Sequence, residues 1–202
     1  MMRVRVLSRR AVEDGEVSGA DAIISIRPAA ETDLPNLDLA VAQAVEGEVE
    51  AMLILRFDDI AVPAYGPYVG PTMDDVATVL DFARAARLRS PDGQLVVHCE
   101  HGVSRSAAMA LGVLADWFGD GCEDDAVGAL MRDDVEGRMH PNPLLVSLID
   151  AALFRYGRLE AALAAASPRY AKWRDHWREV AVNPERHWAQ ARKAGFRRRT
   201  AR

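Results

Sequence analysis

The sequence predicts an α/β fold: a central, mainly parallel sheet of about four to five strands flanked by helices, followed by a helical C-terminal extension. Three observations carry this expectation. Short β-branched apolar runs alternate with longer stretches of helical periodicity. Those helical stretches open on capping residues. The chain has 202 residues, half of them apolar, which is enough to bury one full core with some length left over.

The strands are read at 3–8, 21–26 (DAIISI), 51–57 (AMLILRF) and 94–99 (QLVVHC). Helix starts are marked by Thr72 with Asp75 three residues on, and by Asn142, Ser167 and Asn183, each directly before a proline. The helices then run over 72–88, 104–118, 123–132, 143–165, 168–180 and 184–194. The Ala-rich stretch LEAALAAAS (159–167) joins the body to the tail. This divides the chain into a domain at 1–165 and a basic, Trp-containing extension at 166–202.

Net charge is −5, but residues 169–202 carry 11 Lys and Arg against 3 Asp and Glu, so the tail stands near +8 and the rest near −13. A basic tail of this kind either packs on the acidic body or contacts an anionic partner. Tyr170, Trp173 and Trp177 share one helical face, the pattern of a packing stripe. The N-terminal MMRVRVLSRR has no apolar run long enough for a signal peptide, and no stretch approaches the roughly 20 apolar residues of a membrane span. A soluble, cytoplasmic protein is expected. Its two cysteines, Cys99 and Cys122, are too few for a disulfide scaffold and are expected as free thiols.

The chemistry concentrates at VVHCEHGVSRSAAMA (96–110), where a buried strand ends at Cys99 and a helix of small residues begins near Ser106. Ligands of open α/β sheets bind at the carboxyl ends of strands. A tight loop feeding a helix N-terminus turns its backbone N–H groups toward an anion, and Gly102 allows the turn. Glu100, His101, Gly102, Val103, Ser104 and Arg105 would form this phosphate cradle, with the Arg105 fork set against two phosphate oxygens. The same field favours the thiolate, so Cys99 becomes a nucleophile facing phosphorus.

The run from His98 to Ser106 matches the pattern H-C-x-x-G-x-x-R-S/T and resembles the cysteine-dependent protein tyrosine phosphatases, in particular their compact, dual-specificity-like bacterial-type branch. The order of elements is similar over about residues 50–155. The resemblance implies that Cys99 attacks phosphorus, Arg105 binds the phosphoryl oxygens, Ser106 assists breakdown of the cysteinyl-phosphate and His98 supports the loop. It also implies an aspartate general acid after the preceding strand. LRFDDI offers Asp58 and Asp59, and lining up the strands favours Asp59. A leaving alkoxide or phenolate needs such an acid in any case.

Asn142 reads first as an N-cap, although the resemblance places its turn near the phosphate loop. His140 reads as a surface or turn residue. The segment AVPAYGPYVGP (61–71) reads as an ordinary surface loop or as a lid presenting Tyr65 or Tyr68 to substrate. No cofactor is implied, and no second ligand cluster supports a metal at His98, Cys99 and His101. The expected activity is hydrolysis of a phosphorylated protein, or of a small phosphate ester, through a cysteinyl-phosphate. The alternatives are a phosphoinositide or inositol phosphate phosphatase, disfavoured by the absence of lysine from the loop, and a catalytically dead phosphate-binding adaptor.

Overall fold

Alternating β-branched residues build a four-stranded parallel sheet in the computed structural model, which describes residues 2–46 and 51–193. The strands are β1 (Arg3–Ser8), β2 (Ala22–Arg27), β3 (Met52–Arg56) and β6 (Gln94–Cys99), in the order β1-β6-β2-β3. The last strand to arrive in the chain thus lies between β1 and β2. It pairs Ser8 with Cys99 on one side and Ser25 with His98 on the other. The carboxyl end of β6 is therefore surrounded by the ends of its neighbours.

Because side chains alternate along a strand, β2 and β6 send residues to both faces of the sheet. Ile24, Ile26, Leu95, Val97 and Cys99 join the larger core with α3 (Met73–Arg89), α4 (Arg105–Phe118), α5 (Glu123–Asp133) and α6 (Pro143–Ala152). Ile23 and Val96 face a smaller core with Val12 of α1 (Arg9–Glu13) and Leu37 and Val41 of α2 (Pro35–Ala44). Both α1 and α2 lie in segments where the sequence pattern had indicated no helix.

Helix α4 is buried nearly all round, which its Ala-rich sequence permits by allowing close approach. A Cβ at Gly112 would stand 2.9 Å from Ile149 Cδ1. The sheet and α4 thus fix both ends of the connecting loop. The expected caps form: Thr72 and Asp75 make a reciprocal capping box, Ser167 accepts from the Tyr170 amide, and Asn183 accepts from the Arg186 amide.

The helix expected over 143–165 is two helices, α6 and α7 (Arg158–Ala166), broken where Phe154, Tyr156 and Gly157 adopt positive φ. Asp150 stabilises the break by accepting from the amides of Gly157 and Leu159. Periodicity alone does not reveal it, because the apolar spacing continues across the turn.

The extension forms α8 (Pro168–Val182) and α9 (Pro184–Lys193). The residues of the expected packing stripe divide between two clusters. Tyr170 enters the large core, while Trp173 and Trp177 meet a third cluster with Ile60, Val62 and Tyr65. Arg174 and Arg178 both reach Glu160 of α7, a contact of the basic extension with an acid of the body. Arg197, Arg198 and Arg199 lie outside the described residues. Among those described, no helix is long and apolar enough to cross a membrane.

Candidate active site

Three loop carbonyls are held from outside. Glu100 O accepts from the Arg9 amide, Val103 O from the His140 amide at 2.9 Å, and Ser104 O from the Asn142 amide. In a trans peptide the N–H points opposite to the C=O. These three bonds therefore direct the amides of His101, Ser104 and Arg105 away from Arg9, His140 and Asn142. Among the described residues, no amide from His101 to Ser104 is given to a protein acceptor. Amide groups left without protein acceptors at the start of α4 are suited to an anion. Gly102 is required by two constraints at once: its φ is +70°, and a Cβ there would lie 2.8 Å from the backbone of Leu7 and Ser8.

Cys99 is buried at the end of β6, with Sγ 3.1 Å from Ser106 Oγ. Both cysteines are free. Arg105 is buried and donates from Nη1 to Phe57 O at 2.9 Å, which ties its fork to the end of β3. Its Nε is buried with no partner among the described residues, a donor matched to an anion acceptor. Glu100 turns outward, within 3.6 Å of Arg9, which also pairs with Glu13 and Glu31. The His101 side chain is exposed.

His98 faces the opposite side of the sheet from Cys99. Burial, followed by the nearby Arg27 guanidinium, holds its imidazole down at about 4, so it is neutral near pH 7. Arg27 is itself buried at the end of β2, donating to Ser25 Oγ and pairing with Asp38. Sequence reading missed Arg27; the available signal was an arginine just beyond the apolar run DAIISI.

The two neighbouring aspartates have different surroundings. Asp58 is buried, and its carboxylate accepts from the amides of Val69 (2.9 Å) and Ala29 (3.4 Å), bracing the following segment. Asp59 is half-buried and meets the loop: Oδ1 accepts from Ser104 Oγ at 2.7 Å and from Asn142 Nδ2 at 3.0 Å. Its Oδ2 has no protein partner among the described residues. Asn142 serves both readings made for it. Its Oδ1 caps α6 by accepting from the amides of Leu144 and Leu145, while Nδ2 donates to Asp59 and to Ile60 O. His140 is not merely a surface turn residue, since its amide holds the loop and its ring meets Trp173.

The segment after Asp59 is not an irregular surface loop; of the two tyrosines expected on a lid, Tyr65 is buried and Tyr68 is half-buried with its ring edge-on to Trp188. The segment contains a short hairpin, β4 (Ala64–Tyr65) and β5 (Tyr68–Val69), and Tyr65 turns away into the third cluster. The Tyr65 ring makes edge contacts with Trp177 and Trp188, and its hydroxyl stands 2.7 Å from His187 Nδ1. Aromatic partners more than 100 residues away decide this packing, and local turn chemistry gives no sign of them.

No protein-family model matches the sequence, and no curated protein matches it. Among solved structures, the crystal structure of Tk-PTP in the active form is similar over 76% of this chain and 92% of that chain, at 16% identity and a TM-score of 0.51. The PTP-2 phosphatase of Cydia pomonella is similar over 74% of this chain and 84% of that chain, at 16% identity and a TM-score of 0.50. The chain has the protein tyrosine phosphatase fold.

Proposed function

We propose that the protein is a metal-independent phosphate monoester hydrolase acting through a cysteinyl-phosphate, with phosphotyrosyl protein as its substrate class. The observation that carries this reading is the convergence of four groups at one strand end: Cys99, Ser106 beside its sulfur, the Arg105 fork, and Asp59 hydrogen-bonded to the loop.

The phosphoryl group sits against the loop amides with Arg105 on its oxygens. The Cys99 thiolate attacks phosphorus, the ester P–O bond breaks, and Asp59 gives a proton to the leaving oxygen. Water then attacks the cysteinyl-phosphate, and Asp59 takes up a proton from it. The P–S bond breaks and inorganic phosphate is released. Ser106 donates a hydrogen bond to the departing thiolate. Ser104 and Asn142 orient Asp59, His98 packs behind the loop, and Asp58 braces the backbone that carries the acid.

A singly phosphorylated ester suits the rim, where Glu100 and Glu31 flank Arg9 and the loop contributes no lysine. A polyphosphorylated headgroup would meet those carboxylates. The presence of both Cys99 and a carboxylate beside the loop also favours this reading over a phosphate-binding adaptor. A free nucleophilic thiol suits a reducing compartment such as the cytoplasm.

The test compares turnover of a phosphotyrosine peptide, a phosphothreonine peptide and a phosphoinositide on one preparation, with and without chelator. Chelator-insensitive hydrolysis led by phosphotyrosine is expected. Preference for the lipid would overturn the substrate class, loss of activity with chelator the mechanism, and binding without turnover the enzyme assignment.

A further inference from the structure

The C-terminal extension packs against neighbours of the candidate acid on two sides. Asp59 lies between Asp58, whose amide and carboxylate both bond Val69 of the hairpin, and Ile60, whose side chain lies in the third cluster with Trp177. The far side of that hairpin rests on α9. Tyr65 and Tyr68 both meet the Trp188 ring edge-on, at centroid distances of 5.1 and 6.0 Å, and Tyr65 also reaches His187. Contact is so close at Gly66 that a Cβ there would stand 2.2 Å from the Trp188 ring. On the second side, Trp173 of α8 packs edge-on against His140 at 5.4 Å, two residues before Asn142, which donates to Asp59.

The two helices differ in how they are anchored. Tyr170 ties α8 into the large core independently of this contact. Helix α9 has no buried residue, and its Trp188 ring meets the hairpin tyrosines. Seating α9 therefore does little for the core, but it fixes the hairpin through which Asp59 is held.

We infer that α9 is part of the catalytic scaffold, and that Trp188, seated against Tyr65 and Tyr68, is a positioning residue for the general acid Asp59. The inference rests on the phosphatase reading above. Displacing the hairpin would move Asp59 relative to the leaving oxygen while Cys99 and Arg105, held by the sheet and α4, stay in place. Misplacing a reacting group by about 1 Å costs on the order of 100-fold in rate. The defect should appear only where protonation of the leaving group matters.

The experiment uses the full chain and two aryl phosphates, one with a good and one with a poor leaving group. Trp188→Ala should lower kcat for the poor leaving group about 10- to 100-fold and change the good one less than about 2-fold. Vanadate affinity should be retained, and Trp188→Phe should restore much of the loss. In an Asp59→Asn background Trp188→Ala should add nothing, because residues acting as one unit are not additive. Gly66→Ala, which pushes on the same contact from the hairpin side, should reproduce the pattern if Trp188→Ala proves too unstable to assay. Equal slowing of both substrates, no slowing, or full additivity with Asp59→Asn would overturn the inference. Should Asp59→Asn itself slow both substrates alike, the acid assignment is what has failed, and the positioning role falls with it.

Discussion

The loop from Cys99 to Arg105 and the segment that leads from Asp59 into the hairpin meet at the Ser104–Asp59 hydrogen bond, yet they are held by different means. The loop hangs between a central strand and a buried helix, and backbone donors from Arg9, His140 and Asn142 hold its carbonyls. Its shape thus depends little on which side chains surround it. The hairpin depends more on side chains: the Asp58 carboxylate, beside one backbone bond from the Asp58 amide, at one end, and rings from α8 and α9 at the other. On the proposed reading, the difference means that binding and protonation are separately supported, so that each can be disturbed without the other.

The sharpest way to break the comparison is at the loop. Cys99→Ser should lower turnover by roughly 10^4-fold or more while phosphate-analogue binding survives, because backbone amides and Arg105 remain. Residual hydrolysis within tenfold of the parent, measured on a highly purified sample, would sink the nucleophile assignment.

A smaller and selective effect is expected on the hairpin side. Asp59→Asn should slow poor leaving groups by about 10^2- to 10^4-fold and good ones far less. Asp58→Asn should show no such selectivity, since its carboxylate is spent on the amides of Val69 and Ala29. A linear free-energy plot against leaving-group acidity distinguishes the two, and a steepened slope for Asp58→Asn alone would reverse their roles.

Acid weakens the loop side through His98. Its folded value is held at about 4, below the ordinary 6.5, so the unfolded chain takes up the proton first as pH falls. Stability from this group is complete above about 6.5 and is lost as pH falls toward 4, by roughly 3 kcal/mol in total. Denaturant midpoints across that window should fall for the parent and fall less for His98→Gln; identical slopes would contradict a buried neutral imidazole.

The smallest effect separates bracing from chemistry. Asp58→Asn should cost about 1 kcal/mol of stability, because its amide nitrogen cannot accept from one of the two half-exposed amides that the carboxylate serves. An unchanged thermal midpoint would mean that the Val69 contact contributes little.

Legibility in the sequence divides along the same line. Cys99, Gly102, Arg105 and Ser106 could be read because their geometry is set by local succession: apolar strand, glycine turn, small-residue helix. The caps at Thr72 and Asn142 are local too, and they formed. The hairpin partners were not legible, because Tyr65 contacts His187 across 122 positions and no periodicity encodes that pairing. The same applies to Arg27, whose link to the site is lateral, through Ser25 beside His98 in the sheet. Asp58 and Asp59 could be nominated as a pair, but what distinguishes their surroundings is which one Val69 holds and which one Ser104 and Asn142 reach.

The most direct test of covalent transfer to Cys99 is rapid acid quench during turnover of a radiolabelled aryl phosphate, followed by peptide mapping. Phosphate is expected on the peptide containing Cys99, at higher occupancy in Ser106→Ala, where breakdown of the intermediate is slowed. Continued turnover with no label on that peptide, or with label on another residue, would contradict the account.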